Sequence, residues 1–140
     1  MAYVVNIKRF RDKIYTKRKW ETMDEEYFDR YGKIFGYFHD DDFFAWNGAH
    51  LGFKDGNELY QVNGKWSGFL YNGFIYDVRG YPVLFRQNAF GGPIKPIRAI
   101  KPVRGIRQIK FIHGIRSIKP IRPIRQLSWS NCDPTEIFGK

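Results

Sequence analysis

Apolar and polar positions recur along residues 26–90 in a sixteen-residue pattern marked by Gly32, Gly48, Gly64 and Gly80. Four residues before each glycine stands an aromatic: Phe28, Phe44, Tyr60 and Tyr76. Five before it stand Tyr27, Phe43, Leu59 and Ile75, and five after it Tyr37, Phe53, Phe69 and Phe85. Adjacent apolar residues flanking a turn signal read as paired strands. Asn47-Gly48 and Asn63-Gly64 predict type I′ turns, with Tyr31-Gly32 and Arg79-Gly80 in the same place. Asp40-Asp41, Asp55-Gly56 and Asn72-Gly73 predict the return turns. The segment therefore reads as eight short antiparallel strands in four hairpins.

A two-residue loop fixes the register. It sets Phe28 opposite Phe35, Phe44 opposite Leu51, Tyr60 opposite Ser67 and Tyr76 opposite Val83. This face is expected to be buried. On the other face Tyr27 meets Gly36, Phe43 meets Gly52, Leu59 meets Gly68 and Ile75 meets Leu84. In the first two pairs the ring is expected to cover the glycine. One hairpin cannot bury a face alone, whereas four around an axis can also pair their edges. The expected fold is all-β, a small closed barrel with pseudo-fourfold symmetry.

Residues 94–125 follow a period of three. The first slot is Ile or Val eleven times, from Ile94 to Ile124. The second is Lys, Arg or His, and the third is mixed and rich in Pro and Gly. Period three fits polyproline II, with one apolar, one cationic and one small edge. Extended, the segment spans about 100 Å, against some 30–40 Å for a compact domain of this size, so it must project, fold back or wrap. Gly105 and Gly114 are the expected bends. Ile97, Ile100, Ile106 and Ile109 are expected to be buried, and the basic row wet. The organisation is a basic leader at 1–25, four hairpins at 26–90, the triplet segment at 91–126 and a closing segment at 127–140, with Trp129 as anchor. Tyr3, Val4, Val5 and Ile7 suggest a leader strand. Thr22-Met23-Asp24-Glu25 matches a capping box and predicts a brief helix or turn over 22–29, in competition with the first strand.

Charge sharpens this division. The net charge is +10, and residues 94–125 hold ten Lys and Arg with no Asp or Glu. The other 108 residues carry fourteen of each sign, so the imbalance lies in the triplet segment. A single cysteine, Cys132, permits no internal disulfide. No stretch approaches the length of a transmembrane helix, and the expected location is the cytoplasm.

The four hairpins, Gly91-Gly92-Pro93, the Ile-Lys-Pro triplets and Leu127-Ser128-Trp129-Ser130 together resemble the bacterial 4-fold beta flower family over about residues 27–130. The resemblance implies a shallow barrel with hairpin petals; it carries no settled activity or catalytic motif, so no site residue comes from it, and no cofactor is expected.

The chemistry points away from an enzyme. His39, His50 and His113 have no metal-ligand spacing, and no nucleotide-loop or hydrolase motif is present. Asp40-Asp41-Asp42 offers oxygens to a cation but reads as a solvated turn. Symmetry is expected to gather Lys33, His50, Lys65, Trp66 and Tyr81 into a cup for an anionic, stackable molecule. Arg98, Arg104, Arg107 and Arg116 offer a row for polyanions. The leading reading is a non-enzymatic binder of an anionic ligand. The candidates are a nucleotide, including a signalling nucleotide in bacterial or phage conflict, or a nucleic acid. The rivals are a structural, self-assembling homo-oligomer and a peripheral protein on anionic membrane.

Overall fold

The computed structural model describes residues 24–118 and 121–140. Eight strands follow in order: β1 Glu25–Phe28, β2 Ile34–His39, β3 Asp42–Ala45, β4 His50–Asp55, β5 Glu58–Gln61, β6 Trp66–Tyr71, β7 Phe74–Tyr76 and β8 Pro82–Phe85. Each pairs antiparallel with the next, and β8 returns to β1 through Phe85 and Phe28, closing a barrel. The leader strand lies outside the described residues. At the edge of the leader the capping-box reading fails, because Glu25–Phe28 is a strand. Pairing β1 into the barrel satisfies far more backbone than a single helical turn.

The turns at the four glycines are longer than expected. Gly32 donates to Asp29 O while Asp29 N bonds Lys33 O, and the same pair of bonds recurs at Ala45, Gln61 and Asp77. Each glycine carries positive φ, but Asn47 and Asn63 do not. This is a type I turn closed by a left-handed glycine, with a bulge after it. Gln61 and Ala45 open two of these turns; Asp29 and Asp77 open the others and bond the loop amides with their side chains. Asn72-Gly73, with φ of 51° and 87°, has the I′ signature instead.

The bulge changes the register on one face. Phe28 stands opposite Ile34, Phe44 opposite His50, Tyr60 opposite Trp66 and Tyr76 opposite Pro82. Phe35, Leu51 and Val83 turn to the other side of the wall. The pairs Tyr27–Gly36, Phe43–Gly52, Leu59–Gly68 and Ile75–Leu84 stand as expected. The rings over the glycines come from elsewhere, however. Phe43 lies on Gly36, and Phe138 lies on Gly52.

Both faces are buried. Tyr27, Phe43, Leu59 and Ile75 meet inside the barrel with Leu51, Val83 and Leu84. A 3-10 helix, Pro134–Phe138, capped by Asp133, brings Phe138 into this cluster. Its ring stacks on Phe43 at 5.1 Å and on Phe35 at 6.3 Å. On the outer wall four ring pairs bridge neighbouring hairpins at 5.1–5.8 Å: Tyr37–Phe44, Phe53–Tyr60, Phe69–Tyr76 and Phe85–Phe28. Residues 94–118 and 121–125 carry neither helix nor strand.

Candidate functional site

The triplet segment wraps the barrel as a belt. Its third-slot amides dock on the hairpin tips: Ala99 N to Gly32 O, Gln108 N to Gly48 O, Ser117 N to Gly64 O and Gln126 N to Gly80 O, all at 2.8–2.9 Å. Nine residues of belt thus match sixteen of barrel over three successive steps between four docking points. Gly105 N and Gly114 N repeat the match on Trp46 O and Val62 O. The equivalent places one quarter-turn before and after hold Pro96 and Pro123, which have no N–H to donate. A belt of about 100 Å is the circumference of a body about 32 Å wide, which removes the length mismatch. The ends meet, with Trp129 Nε1 donating to Ile94 O at 3.4 Å and its ring against Phe74 and Phe85.

This docking gives the glycines a second reason. A Cβ on Gly32, Gly48, Gly64 or Gly80 would strike the carbonyl of Ile97, Ile106, Ile115 or Ile124. Gly105 and Gly114 have the reciprocal constraint, since a Cβ there would meet the carbonyls of Asn47 and Asn63. They are points of close approach.

One edge of the belt departs from expectation: the isoleucines are bare, whereas the basic row stays wet as expected, its paired side chains 37–60 % exposed even where they rest on the barrel. The cationic row lies on the barrel. Arg98 covers Phe28, Arg107 covers Phe44, Arg104 covers Tyr37 at 4.4 Å and Arg122 covers Phe69 at 4.9 Å. Lys101 pairs with Glu26, Arg104 with Asp24, Lys110 with Asp42, Arg116 with Asp55 and Arg122 with Glu58. The apolar row is bare: its eleven Ile and Val are 83–98 % exposed, including Ile97, Ile100, Ile106 and Ile109. The reason lies in the wall. Its rings already stack in pairs, so their faces attract cations, and its carboxylates need partners. At about 60–120 Å² of apolar surface per isoleucine, the bare row amounts to about 700–1,300 Å². A monomer ordinarily leaves patches of a few hundred Å².

Of the residues expected to form a cup, His50 and Trp66 meet the belt. Lys33 and Lys65 are exposed on their tips, and Tyr81 is half-buried with Arg79 over its ring. The bulge carries His50 and Trp66 beneath the belt. Trp66 donates from Nε1 to Glu58 at 2.9 Å, and its amide donates to Ser117 Oγ. His50, in the preceding hairpin, occupies the matching place beside Asp42 at 2.9 Å.

Asp42, His50 and His113 come together although their spacing in sequence gave no hint of it, with ligand-type atoms within 4.8 Å of one another. His113 Nε2 lies 2.7 Å from Asp42 Oδ1, and its ring stacks on Phe53 at 3.9 Å. Lys110 Nζ is 3.1 Å from Asp42 Oδ2. His50 Nδ1 accepts the amide of Phe111 at 2.9 Å, so Nε2 carries the ring proton and donates it to Asp42. A metal-bound histidine presents its second nitrogen as a donor, and here that nitrogen faces one. The cluster is thus proton-bonded and fastens the belt. Burial lowers the pKa of His50, with Asp42 offsetting part of the effect. Burial pushes Asp42 up, but hydrogen bonds from His113 and Lys110 and the charges of Lys110 and His50 more than cancel it, leaving the carboxyl below its ordinary value.

The belt and the closed eight-strand barrel lie within one sequence pattern, that of the 4-fold beta flower protein, which matches residues 25–138. The chain belongs to the 4-fold beta flower family. Comparison with curated proteins and with solved structures finds no match. Among the described residues of this flower, no helix is long and apolar enough to cross a membrane. Sequence reasoning missed the flower's acidic sockets. Their signal was present, since the position six before the glycine is Glu26, Asp42 and Glu58 in three of the four repeats.

Proposed function

We propose that this flower protein is a non-enzymatic interaction protein whose working surface is the apolar row of its belt. One observation carries the reading: eleven branched side chains stand almost wholly in solvent on a backbone held at every hairpin tip. Leaving such a row bare costs solubility, and docking the cations inward orients it outward. The anionic-ligand reading has less support, because Arg98, Arg104, Arg107 and Arg116 already engage rings or carboxylates of the barrel. The test is photo-crosslinking in cells, with p-benzoylphenylalanine placed at Ile97, Ile106 or Ile115 and, as control, at Asn57 in a return turn. Discrete adducts are expected at the belt positions. No adduct there, or equal adducts at Asn57, would overturn the reading.

A further inference from the structure

The apolar row needs an occupant, and its chemistry narrows the choice. Among the described residues, every belt amide that bonds the barrel backbone belongs to the third slot. The amides at the isoleucines are left for another partner. Hydrocarbon cannot supply acceptors to them, so burial in a bilayer would leave unpaired backbone at each step. The cations that would meet lipid phosphates lie against the barrel instead. A protein surface meets both requirements.

The spacing narrows it further. Successive first-slot side chains are three residues apart, about 9 Å along an extended chain. That gap admits one side chain of similar size. A second row with the same spacing can set its isoleucines into the gaps of the first. The bare area of about 700–1,300 Å² brackets the roughly 800 Å² that each partner contributes to a standard interface.

We propose that the occupant is the belt of a second copy of this chain, apolar row against apolar row. The proposal rests on the apolar row being the working surface. It makes the contact isologous, the same patch meeting itself. Ile97, Ile106, Ile115 and Ile124 occupy equivalent places in the fourfold repeat, each with its carbonyl against a tip glycine.

The experiment is sedimentation velocity with native mass spectrometry on the full chain, from about 1 to 100 µM, as wild type and as the Ile97→Thr, Ile106→Thr, Ile115→Thr triple variant. The wild type is expected at a whole multiple of 16.7 kDa, and the variant should need at least about tenfold more protein to associate. Asn57→Ser, in an exposed return turn, is expected to associate like wild type. A wild type that stays monomeric at the highest concentration overturns the proposal. So does an oligomer whose midpoint the triple variant leaves unchanged. If the variant misfolds, purified wild type carrying the photo-crosslinker at Ile106 replaces it. An adduct of twice the chain mass through the row supports the proposal, and its absence overturns it. A monomer that still crosslinks to a different protein in cells overturns the second copy while leaving the working surface in place.

Discussion

The barrel and the belt are made by one chain under opposite rules. In the barrel, apolar residues are buried, and the buried carboxylates Asp42, Glu58 and Asp77 each have a hydrogen-bond partner. In the belt, the isoleucines face water, and the cations, still more than a third exposed, rest on protein. What differs is what each segment meets. The hairpins meet one another across the barrel axis, which rings and aliphatic side chains fill together. The belt meets a wall already finished, whose exposed features are ring faces, carboxylates and tip carbonyls. Which edge of a triplet segment turns inward is therefore decided by its partner, and periodicity alone identifies edges without orienting them.

The largest way to test this contrast is to open the barrel core. Phe138 is buried against Phe35 and Phe43 and rides on the chain's end. Phe138→Ala is expected to cost about 3–5 kcal/mol, as other phenylalanine truncations in cores do. Urea unfolding measures it. A loss under about 1 kcal/mol would mean that the 3-10 helix decorates the barrel instead of completing it.

Glycine substitutions separate backbone conformation from belt contact. Gly56 and Gly64 both have positive φ, at 62° and 92°. A Cβ on Gly56 meets open space, whereas on Gly64 it meets Ile115 and Gly114 of the belt. Gly56→Ala is expected to cost about 1–2 kcal/mol from conformation alone. Gly64→Ala should add about 1–3 kcal/mol for the overlap, or free that quarter of the belt. Equal losses in thermal melts would show that the belt does not sit on the tip.

The histidine fastening makes one quarter of the belt sensitive to pH. His50 has a lowered pKa in the folded protein, from burial first. The unfolded chain, with a histidine near 6.5, therefore binds that proton more readily. Stability from this group is complete above about pH 6.5 and is lost as pH falls through the lower folded value. Protonation at Nδ1 also expels the Phe111 amide. The lowered Asp42 adds stability present above about pH 4 and lost below its folded pKa. Between pH 7.5 and 5.5 the melting temperature should fall, and Phe111 amide exchange should accelerate beyond its intrinsic pH dependence. Nitrogen shifts of His50 showing Nδ1 protonated at pH 7.5 would contradict this arrangement.

Much of the barrel was legible, and the reasons are local. The glycine spacing and the aromatic positions before and after it specify hairpins whatever surrounds them. The inner pairs, such as Phe43 with Gly52, followed directly. The outer pairs slipped by one residue at the bulge, because Asn47-Gly48 fits a two-residue turn as well as the longer one adopted. His50 and Trp66 were displaced from the expected cup by that single residue. The Asp42–His50–His113 cluster was hidden for another reason. His113 lies in the belt, and only the nine-to-sixteen match sets it over Phe53. That match was available, since three triplets equal one hairpin step and acidic residues recur six before the glycine. Phe138 gave no signal, since one aromatic near a chain end has no period.

The smallest effect sharpens the contrast most. Ile109 is 93 % exposed, so Ile109→Asn removes almost no buried surface from the folded monomer. Surface substitutions of this kind shift stability by about ±0.5 kcal/mol. If the row packed on its own barrel, the same change would bury an amide among rings and cost several times more, about 2–4 kcal/mol. The comparison must be made near 1 µM, because association through the row would add concentration-dependent stability to the wild type. Near-identical melts at that concentration are expected, together with a difference that grows as the protein is concentrated. A large loss at high dilution would place the isoleucines inward and return the belt to the rule the barrel obeys. The growing difference is the signature of a surface that is neutral to the fold and matters only between molecules.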